Sequence, residues 1–248
     1  MMNDELKGRL SRICGFMLAW MVILFTLAAA VYSISGSGDL LAREMLRFAP
    51  PETTGLPETE YPGVGRMTAA YLTGQGETFQ YTFSDAEGRT WLCFRSYEAD
   101  HMADCRDLIR LTGNLRWTTG AAVLIPAAGL LLRRRRAFAA GLLAGLCTAG
   151  VVITSVLLWA VADFDGLFVT FHRVAFSNDG WLLNPQTDLL IRLMPVNFFV
   201  SLGTRILIGV LMAGIALLGT GKMMRHAEIG RKNKKQILPD RECVQDGE

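Results

Sequence analysis

Four stretches of this chain stay apolar long enough to cross a lipid bilayer, and the stretches between them do not. At about 1.5 Å per helical residue against a hydrocarbon layer of ~30 Å, residues 13–33, 117–132, 137–161 and 196–219 predict four membrane-spanning helices. The second is the shortest and contains Pro126, which removes a backbone donor and predicts a kink. The intervening pieces are residues 1–12, 34–116, 133–136, 162–195 and 220–248. Within 34–116, an amphipathic pattern over 39–48 predicts a helix stopped by Pro50 and Pro51, and Pro62 and Gly63 predict a second break before a helix over 66–72. Alternation over 78–83 and again over 90–95, around turn residues 84–88, predicts a hairpin that must pack on its neighbours. A further helix begins near Tyr97 and runs through Leu108. The fold class is an α-helical integral membrane protein with four transmembrane helices and a small external α+β cap.

The segment 162–195 has its own pattern. Phe164, Leu167, Phe168 and Phe171 recur at helical spacing and make an apolar stripe suited to a membrane interface. Asn178, Asp179 and Gly180 signal a turn. Asn184 is expected to cap a helix with Pro185 at its first position and Asp188 in its first turn, ending at Met194 and Pro195.

Composition agrees with a membrane protein: 51% hydrophobic residues and a mean hydropathy of +0.29. A net charge of +2 does not imply a nucleic-acid surface. The placement of the charges is more informative. Lys7, Arg9 and Arg12 precede the first span, Arg133 to Arg136 join the second and third, and Lys222, Arg225, Arg231, Lys232, Lys234 and Lys235 follow the fourth. All three clusters fall on one side of a four-span chain, the cytoplasmic side, so both termini are expected inside and residues 34–116 and 162–195 outside. The first apolar run is too long for a signal core, so Ala28, Ala29 and Ala30 are read as part of an uncleaved anchor. The polar tail, ending in Asp246, Gly247 and Glu248, is expected to be disordered beside anionic headgroups. Among Cys14, Cys93, Cys105, Cys147 and Cys243 there is no CxxC; only Cys93 and Cys105 share a soluble segment, and they are read as small half-buried residues rather than a disulfide.

No nucleophile elbow, zinc-protease helix or phosphate loop is present. Gly63-Val64-Gly65 and Gly74-Gln75-Gly76 lack a third glycine, with Thr68 and Phe79 in its place. His226 belongs to the solvated tail, which leaves His101 and His172, in separate segments that the topology brings to one membrane face. Helical spacing sets Glu98, Asp104 and Cys105 on adjoining parts of the face that carries His101, where a carboxylate can orient an imidazole. His172 sits beside the apolar stripe near Phe168 and Phe176, where an imidazole is costly without a partner or a task. Histidine moves protons near neutral pH. Two histidines without close spacing are a weak metal set, and no cofactor or metal is expected.

The run Phe171-His172 through Asn178-Asp179 and Trp181, then Asn184-Pro185, Thr187-Asp188 and Ile191, together with Glu98, His101, Met102 and Asp104, resembles the family of four-span bacterial membrane proteins that includes the lipoprotein intramolecular transacylase. Val174 and Ala175 are smaller than the bulkier residues the family tends to carry after that histidine. The resemblance implies a cofactor-free reaction on diacylglyceryl-modified bacterial lipoproteins within membrane lipid. The sn-2 acyl chain moves from the glyceryl oxygen to the α-amino group of the N-terminal cysteine, giving the lyso-form. It implies His101 and His172 as the catalytic pair, with Asp104 orienting His101, and Asn178 or Asp179 orienting His172 or contacting the oxyanion. Trp181, with Phe168, Phe171 and Phe176, is expected at the lipid-facing wall. Two alternatives stand beside it: another acyl-lipid esterase or transferase on the same scaffold, and a non-catalytic membrane protein whose cap binds a partner.

Overall fold

The computed structural model describes residues 3–85, 87–132 and 134–237, with side chains through His226. Ala86 in the hairpin turn, Arg133 of the basic turn, and residues 238–248 with Cys243 lie outside the described residues. In chain order the elements are α1 (Asp4–Ser35), α2 (Gly38–Phe48), α3 (Pro51–Thr54), α4 (Tyr61–Leu72), β1 (Thr82–Ser84), β2 (Thr90–Leu92), α5 (Ser96–Ala122), α6 (Leu124–Ala127), α7 (Arg135–Ala162), α8 (Phe164–Ala175), α9 (Leu189–Leu193) and α10 (Val196–Ile237). Four helical stretches are long and apolar enough to cross a membrane: Asp4–Ser35, Ser96–Leu132, Arg135–Ala162 and Val196–His226.

The elements correct the sequence reading in several places. Pro62 lies in the first turn of α4 rather than breaking the chain, because a proline there gives up only a donor that the turn leaves unused. The helix expected from Tyr97 is continuous with the second span as far as Ala122. Pro126 then acts on it: its ring would clash with the carbonyl four residues back, at Ala122, where α5 ends. The basic tail is not disordered as far as Ile237, since α10 continues to that residue. The strands are shorter than the alternation predicted, pairing Thr82 with Leu92, Phe83 with Trp91 and Ser84 with Thr90. The reason is Gln80, whose side chain donates to the Phe94 carbonyl at 2.7 Å and accepts the Phe94 N–H at 3.1 Å, replacing a backbone rung.

The chain divides into two units, one of residues 1–24, 119–154 and 211–248, the other of residues 25–118 and 155–210. In the first, α1 and α7 approach through small residues. A Cβ on Gly145 would lie 2.7 Å from that of Ala19 and 2.8 Å from the Phe16 carbonyl oxygen. Lipid tails supply no hydrophobic drive between helices, so close backbone contact and polar cross-links must hold them. Trp20 Nε1 supplies one cross-link, donating to Thr148 Oγ1 at 3.1 Å.

The second unit has a water-type core. Met45 of α2, Tyr61 and Val64 of α4, Phe79 and Phe94 flanking the hairpin, Met102 of α5, Leu190 and Leu193 of α9 and Phe198 of α10 are buried together. Phe79 lies 4.6 Å from Phe94 and 5.4 Å from Tyr71, ring centre to ring centre, which is how the short hairpin is held.

Candidate active site

Every residue of the candidate site lies in the second unit, and a single carboxylate fixes its frame. Glu98, in the first turn of α5, is buried and reaches back to accept the Arg95 N–H at 2.8 Å, half of a capping box. Its other oxygen accepts the Leu190 N–H of α9, also at 2.8 Å. One anion thus serves the positive N-terminal ends of two helices. Beside it Tyr97 Oη donates to Asp188 Oδ1 at 2.6 Å, and Asp188 also accepts the Asn184 N–H and the Thr187 hydroxyl. Burial pushes the Asp188 carboxyl upward, but the donors from Tyr97, Asn184 and Thr187 outweigh it and hold the group below the usual carboxylate range. α9 therefore begins at Leu189 with Asp188 at its cap position. Asn184, expected as that cap, instead makes a tight turn by accepting the Gln186 N–H at 2.9 Å.

His101 follows Glu98 by almost one helical turn and is buried at 8% exposure. Its Nε2 lies 3.6 Å from Cys105 Sγ, and its Nδ1 is buried with no hydrogen-bond partner among the described residues. α8 supplies the second histidine. Asp163 Oδ1 accepts the Gly166 N–H at 2.8 Å and starts the helix, and His172 falls in its last turn, 7% exposed. His172 Nδ1 lies 2.8 Å from the Phe168 carbonyl oxygen. A carbonyl only accepts, so Nδ1 carries the proton and the neutral ring presents a lone pair on Nε2. Burial among aromatic rings disfavours the imidazolium and holds this histidine below its ordinary value of 6.5, although the Phe168 carbonyl works in the opposite direction.

The two imidazoles meet. Their ring centroids are 6.0 Å apart, and Phe176 stands edge-on to His101 at 5.3 Å and tilted to His172 at 5.5 Å. Phe168, Trp181 and Phe171 approach His172 at 4.0, 5.1 and 5.3 Å. Phe171 is half exposed, and Phe168 is also in ring contact with Phe199 of α10 at 5.7 Å. The result is a pair of imidazoles, a ring type able to exchange protons near neutral pH, in an aromatic, low-dielectric setting, with one ring nitrogen lacking a partner among the described residues.

The residues expected to orient the histidines have other partners. Asp104 makes no hydrogen bond to His101; its Oδ2 accepts from Asn178 Nδ2 at 2.9 Å. Asn178 spends its oxygen on the Gly180 N–H, so it closes its own turn and ties it to α5. Glu98 is committed to backbone N–H groups and makes no bond to an imidazole. Asp179 is exposed, and its carbonyl accepts the Leu182 N–H. Cys93 and Cys105 are free thiols, and burial pushes Cys93 up to about 11. Among the described residues no group of three or more His, Cys, Asp or Glu is placed to hold a metal ion.

Cys105 is the neighbour of His101 that helical spacing predicted, whereas nothing in the local pattern marked Tyr97 as a support of the α9 cap. Sequence reasoning also passed over Asn197, Ser201 and Arg205, a polar line at four-residue spacing in the fourth span, whose periodicity alone was a visible signal.

Fold and site together define a helical integral membrane protein with a buried histidine pair in an aromatic enclosure. The sequence model of the family "Lipoprotein intramolecular transacylase Lit" matches residues 16–199. The chain belongs to that family of membrane-integral transferases. Its fold is similar to the in meso structure of the membrane-integral lipoprotein intramolecular transacylase Lit from Bacillus cereus, with a TM-score of 0.70 and 18% identity over 89% of this chain and 98% of that one. Structures of the same Bacillus cereus protein with one histidine replaced by arginine or by alanine each give a TM-score of 0.69 at 17% identity, over 92% of this chain and 97% and 99% of theirs. Curated protein sequences give no match.

Proposed function

We propose that this chain moves the sn-2 acyl chain of a diacylglyceryl-modified lipoprotein onto the α-amino group of its N-terminal cysteine, with His101 and His172 as the proton-transfer pair. The observation that carries the reading is the meeting of two buried imidazoles, from separate segments, 6.0 Å apart in an aromatic pocket. In this reaction a C–N bond forms at the ester carbonyl and the C–O bond to glycerol breaks. The amine gives up one proton and the glyceryl oxygen gains one, so a base and an acid suffice and no cofactor is needed.

The His172 tautomer sets the first role. The Phe168 carbonyl keeps the His172 proton on Nδ1, which leaves Nε2 to accept the proton of the attacking amine. His101 has its Nε2 3.6 Å from Cys105 Sγ and its Nδ1 without a protein partner among the described residues. The imidazolium formed at His172 passes its proton through the neighbouring His101 to the departing glyceryl oxygen, so the acid is a protonated ring and both imidazoles end neutral. Phe168, Phe171, Phe176 and Trp181 form the wall against which the acyl chains lie and water is excluded.

The basic residues at 7–12, 133–136 and 222–235 support a topology with both termini and the turn before α7 in the cytoplasm and the histidines on the external face of a bacterial plasma membrane. The test is mass spectrometry of a reporter lipoprotein's N-terminal lipopeptide from a host lacking N-acylating enzymes. An N-acyl, S-monoacylglyceryl cysteine of unchanged total acyl mass is expected when the chain is expressed. A diacylglyceryl peptide with a free amine, beside folded protein, refutes the proposal.

A further inference from the structure

A second polar constellation in the same unit stands apart from the histidines. Glu44 of α2 is buried at 4% exposure, its Oε1 accepting from Arg205 Nη2 at 2.7 Å and its Oε2 from Ser201 Oγ at 2.8 Å. Arg47, almost one turn further along α2, comes within 4.0 Å of the same carboxylate while its side chain remains two-thirds exposed. Between α2 and α10, Arg47, Ser201 and Arg205 line a groove of about 420 Å³ together with Phe48, Asn197, Val200, Thr204 and Ile208.

Three features of this groove point to a ligand. Arg205 lies about 14 Å along the helix from Val196 at ~1.5 Å per residue, inside a stretch apolar enough to cross a membrane. An arginine there is costly unless it is satisfied. One of its five N–H groups goes to Glu44, and the other four have no protein partner among the described residues. Two guanidinium groups face one carboxylate, which leaves one positive charge over. Val200 and Ile208, on the walls of the same groove, are 44% and 56% exposed and give an apolar track for a chain.

We propose that this groove binds the phosphodiester headgroup of an anionic phospholipid, between Arg47 and Arg205, with an acyl chain along Val200 and Ile208. The surplus charge matches one phosphodiester, and planar guanidinium forks match its oxygens. A diacylglyceryl thioether carries no anion, so the acyl donor does not supply this match. Glu44 is a positioning residue that holds Arg205 toward the groove, and its burial is met by Ser201 and Arg205.

The test reads binding and not turnover, so it stands or falls separately from the histidine reading. The full chain in detergent is titrated with phosphatidylglycerol, phosphatidylcholine or inorganic phosphate, with melting temperature and native mass spectrometry as readouts. Phosphatidylglycerol is expected to raise the melting point saturably and stay bound, and the other two are not. Arg47→Gln leaves the Glu44–Arg205 pair intact and should weaken phosphatidylglycerol binding about tenfold, the loss of one charge-assisted contact. Because Arg205→Gln alone would strand Glu44, the double change Glu44→Gln with Arg205→Gln serves as the second variant, and it too should weaken binding. The proposal is overturned if phosphatidylcholine or free phosphate reproduces the effect, or if both variants bind phosphatidylglycerol as the parent does.

Discussion

Asn178 donates from Nδ2 to Asp104 Oδ2 at 2.9 Å, and this bond ties the turn after His172 to the helix that carries His101. It is a solvent-facing contact, worth about 1 kcal/mol of stability, yet it helps to set the spacing of the two imidazoles. A displacement of ~1 Å at a reacting pair can cost on the order of a hundredfold in rate. Asn178→Ala should therefore lower turnover tenfold to a hundredfold, by an order-of-magnitude estimate, with a barely changed melting point. Adding Asp104→Ala should cost little more, because both changes break one contact. A rate loss that only tracks a loss of folded protein would show that the bond is structural alone.

Glu98 offers the opposite separation. Its two oxygens satisfy N–H groups that begin α5 and α9, in a buried setting. Glu98→Ala leaves two donors unsatisfied, at about 1–3 kcal/mol each. The expected result is a large fall in melting temperature, and Glu98→Gln, which retains one acceptor oxygen, should fall roughly half as far. Equal stability of the alanine variant and the parent would contradict the double-cap assignment.

The pH dependence follows from His172, whose burial holds it below 6.5 despite the Phe168 carbonyl. As the base it must be neutral, so turnover is retained above its depressed value and lost as the pH falls through it. Stability has the same sign. The unfolded chain binds this proton more readily than the fold does, so acid favours unfolding through this group below about pH 6.5. A rate profile whose acid limb lies above 6.5 would contradict the assignment of His172 as a buried, proton-accepting base.

Helix contact in the other unit is testable by size. Gly145 faces Ala19 at a distance where even a Cβ would have to displace its neighbour. Gly145→Leu should cost several kcal/mol, as overpacking and lost backbone contact do, and should be read as a lower melting point or poor recovery from membranes. Gly150, with open space around it, is the control, and Gly150→Ala should be neutral.

The spans, the hairpin and the existence of α2 and α8 were legible because lipid and a small core impose strict periodicity on the residues that face them. The boundaries were less so. Pro62 reads as a breaker and sits in a first turn, and the cap position of α9 is held by Asp188 and not Asn184, with the capping oxygen coming from the distant Glu98. The histidines stood out by their cost beside apolar neighbours. Their surroundings were legible only within one helix: the Cys105 contact follows from four-residue spacing in α5, whereas the Asp104–Asn178 bond follows from which segments meet, which local pattern does not specify. Glu44 and Arg205 are distant in sequence, and their pairing needed the fold, although the polar line from Asn197 through Ser201 to Arg205 was open to reading.

The central claim is that His101 and His172 act as one unit, and a double-mutant cycle on acyl transfer tests it most directly. Lipopeptide turnover would be measured for His101→Ala, His172→Ala and the double variant, each checked for folding by its melting transition. Each single change should cost about 10²–10⁴ in rate, and the double should be little slower than the worse single, as for residues that share one step. Near-normal turnover in either folded single variant, or fully multiplicative losses in the double, would contradict a concerted pair.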